Sequence, residues 1–147
     1  MKSKIYLLLS VLLIIFSTGF SQNINKTAIG SLALKGYDVV SYFSDSTAIE
    51  GSRKYETEYL GAKWRFVSKE HLDLFIKSPE KYIPQFGGYC AWAVGHNYTA
   101  DADPLCWKIV DGKLYLNYNQ DVQKDWSKDI PNLIESGNTN WELLRKK

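Results

Sequence analysis

Asp111-Gly112 lies between Trp107-Lys108-Ile109-Val110 and Lys113-Leu114-Tyr115-Leu116. A two-residue hairpin turn of this kind needs positive φ at both central positions, and an Asp-Gly pair supplies them at little cost. A second apolar-alternating pair, Tyr55 to Leu60 and Lys63 to Val67, is broken by Gly61-Ala62 and reads as another hairpin. Between and after these segments the period changes. Ser68 stands where a helix N-cap would, Leu72, Phe75 and Ile76 recur at helical spacing, and Pro79 stops the run. Pro79 to Tyr82 can open a further turn, because proline at a first helical position gives up no bond. Gln120 to Lys128 and Pro131 to Leu144 read as helices, the second weakened by Gly137 and its asparagines. Hairpins mixed with short helices, without regular strand–helix alternation, predict an α+β fold.

The remaining segments are read from their punctuation. Asn23 to Lys35 has no strong period and reads as a tether. Gly36-Tyr37-Asp38 stops the chain and offers Asp38 as the cap of a short helix over Val39 to Phe43. Ser44 to Arg53 and Asn97 to Pro104 are polar loops. Gly87-Gly88 is a break, and the uncharged run from Tyr89 to Val94 is buried, as strand or as helix. No repeat, low-complexity tract or interdomain linker divides the chain.

The N-terminus carries Lys2 and Lys4, an apolar run from Ile5 to Phe16, and small residues at Gly19 and Ser21. This is the three-part pattern of a secretory signal, with cleavage expected before Gln22. The run is shorter than the roughly 20 residues a spanning helix needs, so no stable membrane insertion is expected after cleavage. Residues 1–21 are thus read as a signal peptide and 22–147 as one domain working in a periplasm or secreted. Without Lys2 and Lys4 the chain has 16 basic residues against 16 acidic ones. A neutral domain without a basic stripe lacks the footprint of phosphate-backbone recognition, so no nucleic-acid partner is expected.

Few residues carry chemistry. Cys90 and Cys106 are the two cysteines, and His71 and His96 the two histidines. In an oxidising compartment the cysteines can pair, closing a loop that the chain-entropy model values at about 3 kcal/mol. They can equally be metal-ligating or redox thiols, or two unrelated thiols. Cys90, His96 and Cys106 form a Cys–His–Cys set of a type suited to copper(I) or zinc, although the spacing matches no closed zinc motif. Asp38 is a cap, or a ligand or base if it faces a cleft. Tyr37, Tyr42, Tyr89, Trp92 and Trp107, with Trp64, are either core or the lining of an aromatic ligand site that Asp38 would join. Asp101 and Asp103 read as turn formers, since the glycine and distal glutamate of a calcium loop are missing. There is no Gly-x-Gly-x-x-Gly, phosphate-binding loop, Gly-x-Ser-x-Gly elbow, His-Glu-x-x-His or haem-attachment motif.

One longer pattern is specific. Tyr59-x-Gly61-x-x-Trp64-x-Phe66-x-Ser68-x-x-His71-x-x-x-Phe75-x-x-x-Pro79-x-x-Tyr82 resembles the YHS domain, a small module associated with metal-handling proteins. Gly36-Tyr37-Asp38-x-Val40-x-Tyr42-Phe43, Pro84-Gln85-x-Gly87-Gly88-Tyr89-Cys90-Ala91 and Asp101-x-Asp103-Pro104-x-x-Trp107 resemble its exported single-domain branch, as does Asp111 to Asn117. The resemblance spans about residues 33–141. In the copies that accompany heavy-metal pumps, cysteines stand at the positions held here by Val67 and His71. Cys90 matches the cysteine usual in the exported branch, and Cys106 falls where that branch has none. The resemblance implies a copper or zinc ion held through Cys90 with His71 or His96. Two alternatives stand beside it: a small-molecule or partner-binding module with an aromatic cleft and structural cysteines, and a thiol-dependent enzyme using Cys90 as nucleophile.

Overall fold

The computed structural model describes residues 23–147; the signal-peptide reading of residues 1–21 lies outside them. The fold is α+β, with two antiparallel two-stranded hairpins and several packed helices. Short helix α1 (Ser41–Ser44) precedes the first hairpin, β1 (Ser52–Tyr59) and β2 (Ala62–Phe66). Helices α2 (Lys69–Lys77), α3 (Pro79–Tyr82) and α4 (Ala91–Gly95) lead to the second hairpin, β3 (Asp103–Val110) and β4 (Lys113–Asn117). Helices α5 (Gln120–Ser127) and α6 (Ile130–Leu144) close the chain.

The second hairpin turns at Asp111-Gly112 as the sequence predicts, whereas the first turns one residue earlier than the expected Gly61-Ala62, at Leu60-Gly61, with Ala62 paired to Tyr59. Leu60 and Gly61 have φ of 51° and 71°, and Asp111 and Gly112 have 50° and 71°. These are the left-handed values that tight two-residue turns demand. Helix α2 begins at its predicted cap, Ser68, whose hydroxyl accepts from the His71 amide at 3.2 Å. The ambiguous run after Gly88 resolves as helix, because the Cys90 amide is taken by Ala100 and Val94 then bonds back to Cys90.

Strand β4 divides the core in two. Alternate residues of a strand face opposite sides, and here Leu114 and Leu116 pack into one buried cluster while Tyr115 packs into the other. The first cluster joins the β1–β2 hairpin to α1, α2 and α3 around Trp64, Phe66 and Phe75. The second gathers Phe86, Ala91, Val94, Trp126 and Trp141. Gly137, read as a weak point of α6, is a packing requirement: a Cβ there would lie 2.6 Å from Phe86 Cζ.

The tether reading of Asn23 to Lys35 is corrected. Ile24, Ala33 and Leu34 are buried, and the segment bonds to Gly87 through the Asn25 amide and to Lys63 through Ser31 and Ala33. Its partners lie 30 to 60 residues away along the chain, roughly, so no local period reveals them.

Candidate functional site

Asp38 is fully buried, and all its side-chain bonds are with groups that donate. Oδ1 accepts from the amides of Val40 at 2.8 Å and Ser41 at 3.3 Å, and Oδ2 from the amide of Val67 at 2.9 Å. The predicted cap is corrected: α1 runs Ser41–Ser44 with Val40 at its N-cap, not Asp38 before a helix over Val39 to Phe43, and the Asp38 carboxylate holds the Val40 and Ser41 amides at its entry and ties the end of β2 to them. The fourth partner is His71 Nδ1, 2.7 Å from Oδ2. Oδ2 already accepts from the Val67 amide, and with Nδ1 turned to it the ring's other nitrogen, Nε2, is the one that faces α1.

His71 reaches this position because the Ser68 cap starts α2 three residues earlier and turns the ring toward α1. Its side chain is only 12% exposed. Nε2 lies 3.3 Å from Ser44 Oγ and 3.6 Å from Asp45 Oδ2, and those two oxygens are 3.0 Å apart. Ligands on one zinc ion at about 2.0–2.1 Å and a tetrahedral angle are roughly 3.3 Å from one another. These contacts are those of a hydrogen-bonded set, in which the Ser44 hydroxyl also reaches the Val40 carbonyl at 3.1 Å, and their spacings also fall near those of atoms that share one small cation, with Asp38 placed as the outer carboxylate that orients the imidazole.

The same connectivity, buried Asp to His to Ser, is that of a hydrolytic triad. Asp45 argues against that chemistry. Its carboxylate, within 3.0 Å of Ser44 Oγ, competes for the serine proton and sets negative charge where an oxyanion would form, whereas catalysis needs donors there. A cation is favoured by the same charge.

Cys90 occupies a different setting. It is buried, begins α4 as its N-cap, bridges to Leu116 of β4, and directs Sγ at Asn117 Oδ1 over 3.7 Å. Burial pushes its thiol above the ordinary cysteine range, and the backbone amides of Ala93, Tyr118 and Trp92 pull the other way. Burial, then Asp103, raise Cys106 likewise. Both cysteines are free thiols. A neutral, enclosed thiol is a poor nucleophile. His96 is exposed, tied by Nδ1 to the Trp92 carbonyl at 2.7 Å, with its ring stacked on Trp92 at 3.9 Å.

The four metal candidates from the sequence, Cys90, His71, His96 and Cys106, do not converge. Among the described residues no three His, Cys, Asp or Glu side chains gather to hold an ion. His71 instead finds Ser44 and Asp45, which sequence reasoning missed: they carry no motif, and only the packing of α1 against α2 brings them to the ring. The six aromatic-site candidates also separate. Tyr37, Tyr42 and Trp107 belong to the first core, where Tyr42 sits edge-on to Trp107 at 5.2 Å and donates to the Pro104 carbonyl. Tyr89 and Trp92 pack against the second core, and Asp38 faces His71. Comparison of the chain with protein-family models, with curated proteins and with solved structures finds no match.

Proposed function

We propose that this chain is an exported, YHS-like binding module that holds one borderline divalent cation, zinc or copper(II), at His71. His71 Nε2 and the Asp45 carboxylate are the ligands, the Ser44 hydroxyl is an additional donor, and water fills the remaining positions. The observation that carries the reading is the 2.7 Å bond from His71 Nδ1 to fully buried Asp38, which orients the ring and presents Nε2 beside two oxygens. Mixed nitrogen and oxygen donors suit zinc and copper(II) better than copper(I), which prefers thiolate. The resemblance to a module associated with metal handling supports the same class, with the ligand role moved from Cys90 to His71.

The test is calorimetric titration of the mature protein with zinc chloride and with copper(II) sulfate. One equivalent is expected to bind, His71→Ala to remove that binding, Asp45→Ala to weaken it tenfold or more by the usual ligand loss of roughly 1.4 kcal/mol and above, and Cys90→Ser to leave it in place. Wild-type affinity and stoichiometry in folded His71→Ala would overturn the reading.

A further inference from the structure

We propose that the face formed by Lys26, Lys146 and Lys147 docks on an anionic phospholipid surface. The N-terminal segment meets the end of α6 in a shallow depression lined by Ile24, Lys26, Leu60, Arg145, Lys146 and Lys147, and no acidic side chain lines it. The face shares no residue with the His71 site and depends on the reading above only for export.

Tertiary packing gathers these cations from opposite ends of the sequence. Ile24 is buried beside Lys26, the Asn25 amide bonds to the Gly87 carbonyl, and Trp141 and Leu144 are buried on α6. A Cβ at Gly87 would strike the Asn23 carbonyl and stand 3.3 Å from Trp141 Cζ2, so glycine permits the close approach of the two segments. Arg145 is offset by Glu142 at 2.9 Å. Lys26 Nζ meets a neutral partner, the Gly61 carbonyl, at 2.6 Å. Lys26, Lys146 and Lys147 are exposed and join no ion pair among the described residues. Since the chain without Lys2 and Lys4 is balanced in charge, this face carries a local positive surplus.

Charge alone suits any polyanion, and the apolar neighbours favour lipid. Leu143 is 66% exposed, and the Lys146 and Lys147 amides bond to the Leu143 and Leu144 carbonyls, which continues the helical turn. Lys146 and Lys147 lie three and four positions beyond Leu143, the spacing that shares one helix face. Ile29, 91% exposed, lies three positions from Lys26. A bilayer interface accepts lysines at its phosphates while apolar side chains beside them enter the acyl boundary. A nucleic-acid backbone offers the phosphates without that apolar layer.

The test is sedimentation of the mature protein with vesicles of phosphatidylglycerol and phosphatidylcholine in equal parts, and with vesicles of phosphatidylcholine alone. A chelator is present throughout, so that no cation at His71 can bridge to lipid. Binding is expected on the mixed vesicles only, and is expected to weaken as salt rises. Lys26→Gln, Lys146→Gln and Lys147→Gln should each lower the partition constant about fivefold. Leu143→Ser should lower it by about tenfold with the salt dependence retained. His71→Ala should leave it unchanged, which separates failure here from failure of the cation reading. No binding to the mixed vesicles, equal binding to both kinds, or undiminished binding by the folded triple lysine variant would overturn the proposal. A DNA duplex bound as tightly at the same salt, or full binding by Leu143→Ser, would overturn the choice of lipid.

Discussion

Asp38 Oδ2 and His71 Nδ1 stand 2.7 Å apart across 33 residues of chain, joining the entry of α1 to the first turn of α2. The bond is at once a structural tie and the orienting contact of the proposed cation site. Asp38→Asn replaces one acceptor oxygen by a donor amide facing either Val67 N–H and His71 or the Val40 and Ser41 amides. Leaving buried donors unpaired costs about 1–3 kcal/mol each, so a total loss of about 2–4 kcal/mol is expected in urea denaturation. Asp45→Asn, at a carboxylate 42% exposed, is expected to leave the midpoint within experimental error and to weaken zinc binding. Equal destabilisation by the two variants would contradict this division of roles.

Tyr42 gives a pH dependence with a definite sign. Desolvation first, then the charges of nearby groups, hold its phenol well above the ordinary tyrosine range. A folded-state pKa raised above the unfolded value of about 10 means that the folded chain keeps a proton the unfolded chain has lost. The contribution is fully present below pH ~10 and declines above it, by roughly 1.4 kcal/mol per pH unit for one group. Tyr42→Phe removes this dependence together with the bond to the Pro104 carbonyl. Denaturant midpoints measured from pH 9 to 11 should therefore fall less steeply in Tyr42→Phe than in the native chain.

Cys90 and Cys106 should resist a disulfide reagent in the folded protein, since both are buried free thiols held in the protonated form. In denaturant two thiols per chain should react. Fewer than two after unfolding in the absence of reductant would show that the cysteines pair.

Gly137→Ala sets helix propensity against packing. Alanine is favoured over glycine within a helix by about 1 kcal/mol, yet its Cβ would fall 2.6 Å from Phe86 Cζ, in a cluster with Tyr115 and Trp141. Overpacking of a filled core costs about 1–3 kcal/mol and outweighs the propensity gain. A lower thermal midpoint is expected, and a higher one would show that Phe86 has room to move.

Local chemistry made much of the fold legible. The two hairpins, with the first turn read one residue late, the Ser68 cap, the Pro79 stop and the two C-terminal helices are decided by residues within a few positions of one another, so periodicity and turn chemistry reach them. The site was legible only in part. His71 and Cys90 could be singled out as scarce ligand types, but Ser44, Asp45 and Asn117 are ordinary residues until their neighbours are known.

The sequence by itself determined the class of fold, the Asp111-Gly112 turn and the short list of residues of soft or borderline ligand type. The tertiary structure decided which of them meet: it set His71 against Asp38, Asp45 and Ser44, enclosed Cys90 beside Asn117, and gave the unpatterned N-terminal segment a place in the core. Turn and cap preferences act over a few residues and are written in local composition. Which side chains converge depends on how two cores close on opposite faces of β4, and that is a property of the whole chain.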